Sequence, residues 1–141
     1  MKLYISDLDG TLLDQNAEVT DFTKETLNRL IKSGLNFTAA TARTLASAGK
    51  ILSGLELKLP VILMNGVLIY DMSTKKYVKI NSLSKGLCDL VVGLSQKLGL
   101  EPFMYSVSDN QLSTRYQRLI SPAMEHFYNE RRVKYYKSFT K

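Results

Sequence analysis

The residues best suited to chemistry stand at the start of the chain. An apolar run, Lys2-Leu3-Tyr4-Ile5-Ser6, leads directly into Asp7-Leu8-Asp9-Gly10-Thr11. Side chains two apart on a strand share a face. Asp7 and Asp9 can therefore project into one pocket at the strand's C-terminal end, the edge where open α/β sheets usually bind ligands. One carboxylate can attack an electrophile while the other handles a proton. Two nearby carboxylates also suit Mg²⁺, which takes a few carboxylates together with waters and phosphate oxygens.

A second chemical element follows the next apolar run. Leu35 to Ala40 reads as a strand and ends at Thr41-Ala42-Arg43. The Thr41 hydroxyl can donate to a phosphate oxygen, and the N-terminus of the helix after it favours anions. A helix cap is the plain alternative for Thr41. A third element is Pro60-Val61-Ile62-Leu63-Met64-Asn65-Gly66, a strand ending in a turn. There Asn65 either lines a cavity or tolerates left-handed turn geometry.

The elements that must position these residues alternate. Residues 2–6 read as a buried strand. Thr20 caps a helix running to about Ser33, with Phe22, Leu27, Leu30 and Ile31 as its apolar stripe and Gly34 as its stop. A helix from Thr44 to Ser53, closed by Gly54, and a third strand from Val61 to Met64 complete the pattern. Strand–helix alternation of this kind implies a parallel, three-layer α/β/α sheet.

The pattern changes after Gly66. Val67 to Tyr70 and Tyr77 to Ile80 read as a hairpin, and Ser82 starts a helix running to about Leu98. Two strands, Glu101 to Val107 and Gln111 to Tyr116, precede a helix from Pro122 to about Arg132. The first segment, 1–80, is expected to be a partial Rossmann-like core. The second, 81–141, is expected to be part of an inserted α+β domain. Each half offers too few elements for a closed domain.

Composition sets the outer bounds. The 141 residues are 45% hydrophobic, as in soluble globular proteins. No apolar run approaches the roughly 20 residues a membrane helix needs, and no signal-peptide pattern opens the chain. A cytoplasmic protein without a membrane partner is expected. The single Cys88 lies among Leu87, Leu90 and Val91 and reads as packing. The net charge of +6 owes much to Arg131, Arg132, Lys134, Lys137 and Lys141, interleaved with tyrosines. No nucleic-acid fold signature accompanies them, so they read as a solvated surface and no nucleic-acid partner is expected. His126 has no second ligand nearby and reads as a surface or half-buried residue. Tyr105, Arg115 and Tyr116 read as strand positions or as part of a substrate-reading face.

Asp7-Leu8-Asp9-Gly10-Thr11 resembles the signature of the haloacid dehalogenase superfamily, and the chain as a whole resembles the first half of a Cof-type phosphatase of that superfamily. The resemblance implies that Asp7 attacks phosphorus to form an aspartyl-phosphate. It implies that Asp9 protonates the leaving alkoxide and then activates water. It places Thr11 and Thr41 at the phosphoryl group, and Arg43 and Asn65 at the substrate. Asp7 and Asp9 would bind Mg²⁺. The segment that reads Thr-Gly-Arg in such proteins is Thr41-Ala42-Arg43 here. The resemblance further implies a cap inserted after the third strand. It also implies a cationic side chain and an acidic metal-binding segment beyond the cap, neither of which has a match in this chain. The implied substrate is a small phosphate monoester, such as a sugar phosphate or related metabolite. A phosphomutase and a non-catalytic fragment are the alternatives.

Overall fold

The computed structural model of the chain describes residues 2–135 and 138–140. They fall into two compact units, Met1–Asn81 and Ser82–Lys141.

In the first unit, β1 (Leu3–Ser6) and β2 (Asn36–Ala39) pair in parallel, Leu3 opposite Asn36 and Ser6 opposite Ala39. A single parallel bridge from Ala40 to Ile62 joins β2 to β3 (Val61–Leu63). The expected run of three parallel strands is thus present, although the last junction is one residue wide. β3 then pairs antiparallel with β4 (Leu68–Asp71), and β4 with β5 (Lys76–Ile80), giving the expected hairpin.

α1 (Asp21–Lys32) begins where Thr20 predicts: its hydroxyl accepts from the Thr23 amide at 3.2 Å. Such a cap satisfies a helix-end donor and contributes about 1 kcal/mol. The apolar stripe predicted for α1 is only partly used. Ile31 is buried, but Leu30 is 42% and Phe22 79% exposed. α2 (Leu45–Leu52) is shorter than expected, and its N-cap Thr44 makes no side-chain capping bond. Asn28 on α1 ties the helix to the chain after α2, donating to the Gly54 carbonyl at 2.9 Å and accepting from the Glu56 amide at 2.8 Å.

Leu8, Ile31, Leu52, Val61, Leu63 and Leu68 form the deepest part of the core. Their burial fixes β2 and β3, because a β3 strand with Val61 and Leu63 inward cannot slip by one residue without exposing both. β1 differs: Leu3, Tyr4 and Ile5 are each about half exposed. The expectation of a buried first strand is therefore not met within this chain, since among the described residues only β2 pairs with it.

In the second unit, α3 (Lys85–Lys97) starts at Ser84, not at Ser82. The Ser84 hydroxyl accepts from the Leu87 amide at 3.3 Å, and a serine at 82 is two residues too early for that bond. β6 (Met104–Ser108) and β7 (Gln111–Arg115) form a hairpin turned by Asp109 and Asn110, both at positive φ. That is the geometry of a two-residue hairpin turn, in which Asp and Asn are favoured. α4 (Pro122–Tyr135) follows, and β8 (Ser138–Thr140) pairs in parallel with β7. β8 was not expected from the sequence, which offered this unit two strands. Its three residues carry no periodicity, and only a long-range partner makes them a strand. No helix among the described residues is long and apolar enough to cross a membrane.

Candidate active site

The site lies in the first unit, where the chain leaves β1, β2 and β3. After β1 the backbone tightens at once. The Asp7 carboxylate accepts from the next amide, Leu8, at 2.7 Å, and the Leu13 amide returns to the Leu8 carbonyl at 3.0 Å. Leu8 is fully buried, while Asp7, Asp9, Gly10 and Thr11 around it are exposed. The apolar side chain thus anchors a loop whose polar residues face outward. Gly10 sits at φ +74°, a left-handed conformation that costs glycine little and other residues more.

After β2 the backbone is held from several sides. The Thr41 amide donates to the Ile62 carbonyl at 3.0 Å. The Thr41 hydroxyl accepts from the Arg43 amide at 3.1 Å, and Thr41 is only 5% exposed. Its hydroxyl proton therefore remains to be given to a ligand oxygen, as a hydroxyl both donates and accepts. Ala42, where the resemblance leads one to expect glycine, lies outside the left-handed region. Its methyl carries no backbone penalty there.

After β3 the chain makes a left-handed turn through Met64, Asn65 and Gly66, at φ +51°, +55° and +90°. Two of these are non-glycine residues in a conformation that L-amino acids seldom adopt. Hydrogen bonds to the neighbouring loop hold it: Met64 N–H to the Arg43 carbonyl and Asn65 N–H to the Thr41 carbonyl, both 3.1 Å. The loops after β2 and β3 are thereby fastened to each other.

Together the loops enclose a cavity of about 470 Å³ lined by Asp7, Asp9, Ala40, Thr41, Ala42, Ile62, Asn65 and Gly66. Four of the six residues that the sequence singled out, Asp7, Asp9, Thr41 and Asn65, are brought to one cavity. Thr11 and Arg43 are not part of its lining. Thr11, just after Gly10, is exposed.

Arg43 instead turns its guanidinium onto Asp9. Nε donates to one carboxylate oxygen at 2.8 Å and Nη2 to the other at 2.5 Å. A two-pronged pair of this kind is the strong form of the arginine–carboxylate contact. The Arg43 hydrogen bond holds the Asp9 carboxyl below its ordinary pKa, against the opposing effect of burial. Nothing in the spacing announced this pair, whose members lie 34 residues apart.

The fit to Mg²⁺ is partial. Asp7 has one carboxylate oxygen committed to Leu8 and one uncommitted, while both Asp9 oxygens face Arg43. Among the described residues no three His, Cys, Asp or Glu side chains gather as a metal cage. Mg²⁺ often takes just one or two carboxylates and completes its shell with waters and substrate phosphate. Hard oxygen donors facing a phosphate-sized cavity suit that ion.

The fold and the site define an α/β protein with a carboxylate pair lining a cavity at the end of its first strand. More particularly, the chain belongs to the haloacid dehalogenase-like hydrolases, whose family model matches residues 4–141. It is 40% identical over 70 residues, half of this chain and 26% of the relative, to a "Putative phosphatase" of Buchnera aphidicola. A haloacid dehalogenase-like hydrolase from Bacteroides thetaiotaomicron shares the fold at a TM-score of 0.71 and 21% identity, over 99% of this chain and 51% of the other. A subclass IIB sugar phosphatase of the superfamily matches all of this chain and 53% of its own, at a TM-score of 0.63 and 16% identity. The chain thus spans about half the length of these solved structures.

Proposed function

We propose that the whole protein to which this site belongs is a Mg²⁺-dependent phosphatase of small phosphate monoesters, sugar phosphates or similar metabolites, acting in the cytoplasm. The observation that carries this reading is the convergence of Asp7, Asp9 and the half-satisfied Thr41 hydroxyl on one cavity. The relatives' phosphatase names support it.

In this mechanism the Asp7 carboxylate attacks phosphorus. The bond between phosphorus and the ester oxygen breaks, and a proton from Asp9 meets the departing alkoxide. In the second half Asp9, now ionised, takes a proton from water. The resulting hydroxide attacks the aspartyl-phosphate, and the Asp7 oxygen leaves with its electron pair, restoring the carboxylate and releasing phosphate. Thr41 donates to a phosphoryl oxygen, with Thr11 as a further hydroxyl near the same loop, and Asn65 faces the rest of the substrate. Bound Mg²⁺, held by Asp7 and Asp9, would offset the repulsion between an anionic nucleophile and an anionic phosphoryl group.

The ion pair with Arg43 bears on the order of these steps. Its hydrogen bond lowers the pKa of Asp9, which favours the carboxylate form that acts as base in the second half. The second unit is read as part of a cap domain, the place where specificity would reside.

The test is release of phosphate from p-nitrophenyl phosphate with Mg²⁺, comparing the wild type with Asp7→Asn. Loss of the nucleophile is expected to lower kcat by at least ~10³-fold. Equal rates in the two proteins overturn the assignment. A reading as a non-catalytic chain, favoured by the absence of a three-residue metal cluster among the described residues, predicts no metal-dependent release from either.

A further inference from the structure

We propose that Arg43 is a positioning residue: it does not touch the substrate but fixes the carboxylate of Asp9 in the direction needed for proton transfer. This rests on the phosphatase reading and goes one step beyond it.

The two partners are unequally held. Asp9 sits between the buried Leu8 and Gly10, with backbone angles of −72° and 121° interrupting the surrounding turn. Its side chain is 56% exposed. A Cβ placed on the neighbouring Gly10 would meet open space. Among the described residues the only group that hydrogen-bonds the carboxylate is the Arg43 guanidinium.

Arg43 is fixed by contrast. Its amide donates to Thr41 Oγ1 and its carbonyl accepts from Met64, so the backbone is clamped on both sides. Its side chain is only 19% exposed. A planar fork on a clamped backbone imposes its own plane on a carboxylate bound two-pronged. Each carboxylate oxygen keeps a second lone pair for a proton. Arg43 can thus hold Asp9 still and leave it able to react.

The arrangement gives the left-handed turn at Met64–Asn65 a purpose. The turn holds the Arg43 carbonyl, Arg43 holds Asp9, and Asp9 faces the same cavity as Asp7. Backbone hydrogen bonds join the loops after β2 and β3, and the Arg43 side chain ties the loop after β1 to them. An arginine reading the substrate would instead line the cavity with its charge uncommitted.

The experiment uses Arg43→Met and Arg43→Lys in the protein, with p-nitrophenyl phosphate as substrate. The expected result for Arg43→Met is a kcat lower by about 10- to 100-fold with KM within about twofold, because small misplacements of a reacting group cost rates of that order. Added guanidinium should recover part of the kcat of Arg43→Met, and Arg43→Lys, which lacks the fork, should fall between. A raised KM with kcat unchanged overturns the proposal and makes Arg43 a substrate contact. Unchanged constants overturn it too.

A second readout does not depend on activity. By NMR the Arg43 Nε–H should exchange slowly with water in the wild type and quickly in Asp9→Ala. Equal, fast exchange in both shows that the pair does not form and overturns the proposal. A wild type that releases no phosphate yet shows the protected Nε–H refutes the phosphatase reading while leaving the contact standing. In that case the orienting role is refuted with the reaction it serves.

Discussion

The two units of this chain are held together by different means. The first has an aliphatic core, and every buried apolar side chain among the described residues belongs to it, from Leu8 to Tyr70. Among the described residues of the second, Thr114 is the one buried as a whole residue. Its cohesion comes from an aromatic cluster: Phe103 packs near Tyr116, Phe127 and Phe139, and Tyr128 stacks edge-on against Phe139 at 4.8 Å. Along α3, Leu87, Leu90, Val91 and Leu94 remain 43–57% exposed. The residues of the carboxylate site belong to the unit with the packed interior. Under the phosphatase reading, reacting groups must be held to a fraction of an ångström; β2 and β3 are rooted in that core, and the loop after the half-exposed β1 is tied to it through the buried Leu8. A unit with its apolar helix face open is suited to meeting other surfaces, not to holding a reacting group still.

The contrast can be broken most sharply by cutting one leucine from each unit. Leu63→Ala, at a fully buried position of β3, is expected to cost about 2–5 kcal/mol. Leu90→Ala, at a position 57% exposed on α3, should cost under about 1 kcal/mol. Denaturant titrations followed by NMR signals from each unit separate the two. An equal loss would mean that α3 is covered in solution.

The helix caps offer a smaller lever. Thr20→Ala and Ser84→Ala each remove a capping hydroxyl worth about 1 kcal/mol. α1 is backed by Ile31 and by the Asn28 clamp, so its amides should keep most of their protection from hydrogen exchange. α3 lacks such backing, and the same loss should unravel its first turns. Equal protection in the two variants would erase the distinction between the units.

The smallest effect concerns the least packed part of the first unit. The carboxyl of Asp9 is held below its ordinary pKa by Arg43, so the pair adds stability above about pH 4. That contribution fades as pH falls through the lowered pKa of the folded state. The difference in urea midpoint between the wild type and Asp9→Asn should therefore shrink on acidification from pH 7 to pH 3. A difference that grew would show that Asp9 is unpaired in solution.

Much of the first unit was legible in its sequence because the decisive signals are local. The carboxylate loop after β1, the Thr20 cap and the β4–β5 hairpin each depend on a few consecutive residues. What was hidden depends on partners far along the chain. The Asp9–Arg43 pair joins two loops, β8 exists only through β7, and the first turn of α3 had two competing serines. Met64 shows a different limit. Nothing in a methionine foretells positive φ, and its conformation follows from the hydrogen bonds on both sides of the turn. The burial of β1 was misjudged for a related reason. Leu3-Tyr4-Ile5 has the composition of an inner strand, but composition does not reveal whether the covering elements lie in the same chain.

That first strand has a consequence for how copies of the chain behave toward one another. A sheet edge that no second strand pairs among the described residues, flanked by the half-exposed Leu3, Tyr4 and Ile5, is a template for adding another strand, including one from an identical molecule. Such edges are usually guarded by charge, and the guards here are Lys2 beside the strand and the net charge of +6 carried by every copy. Colloidal stability then rests on long-range repulsion, which salt screens over about 10 Å at 0.1 M. Raising the ionic strength is therefore expected to promote self-association of this chain.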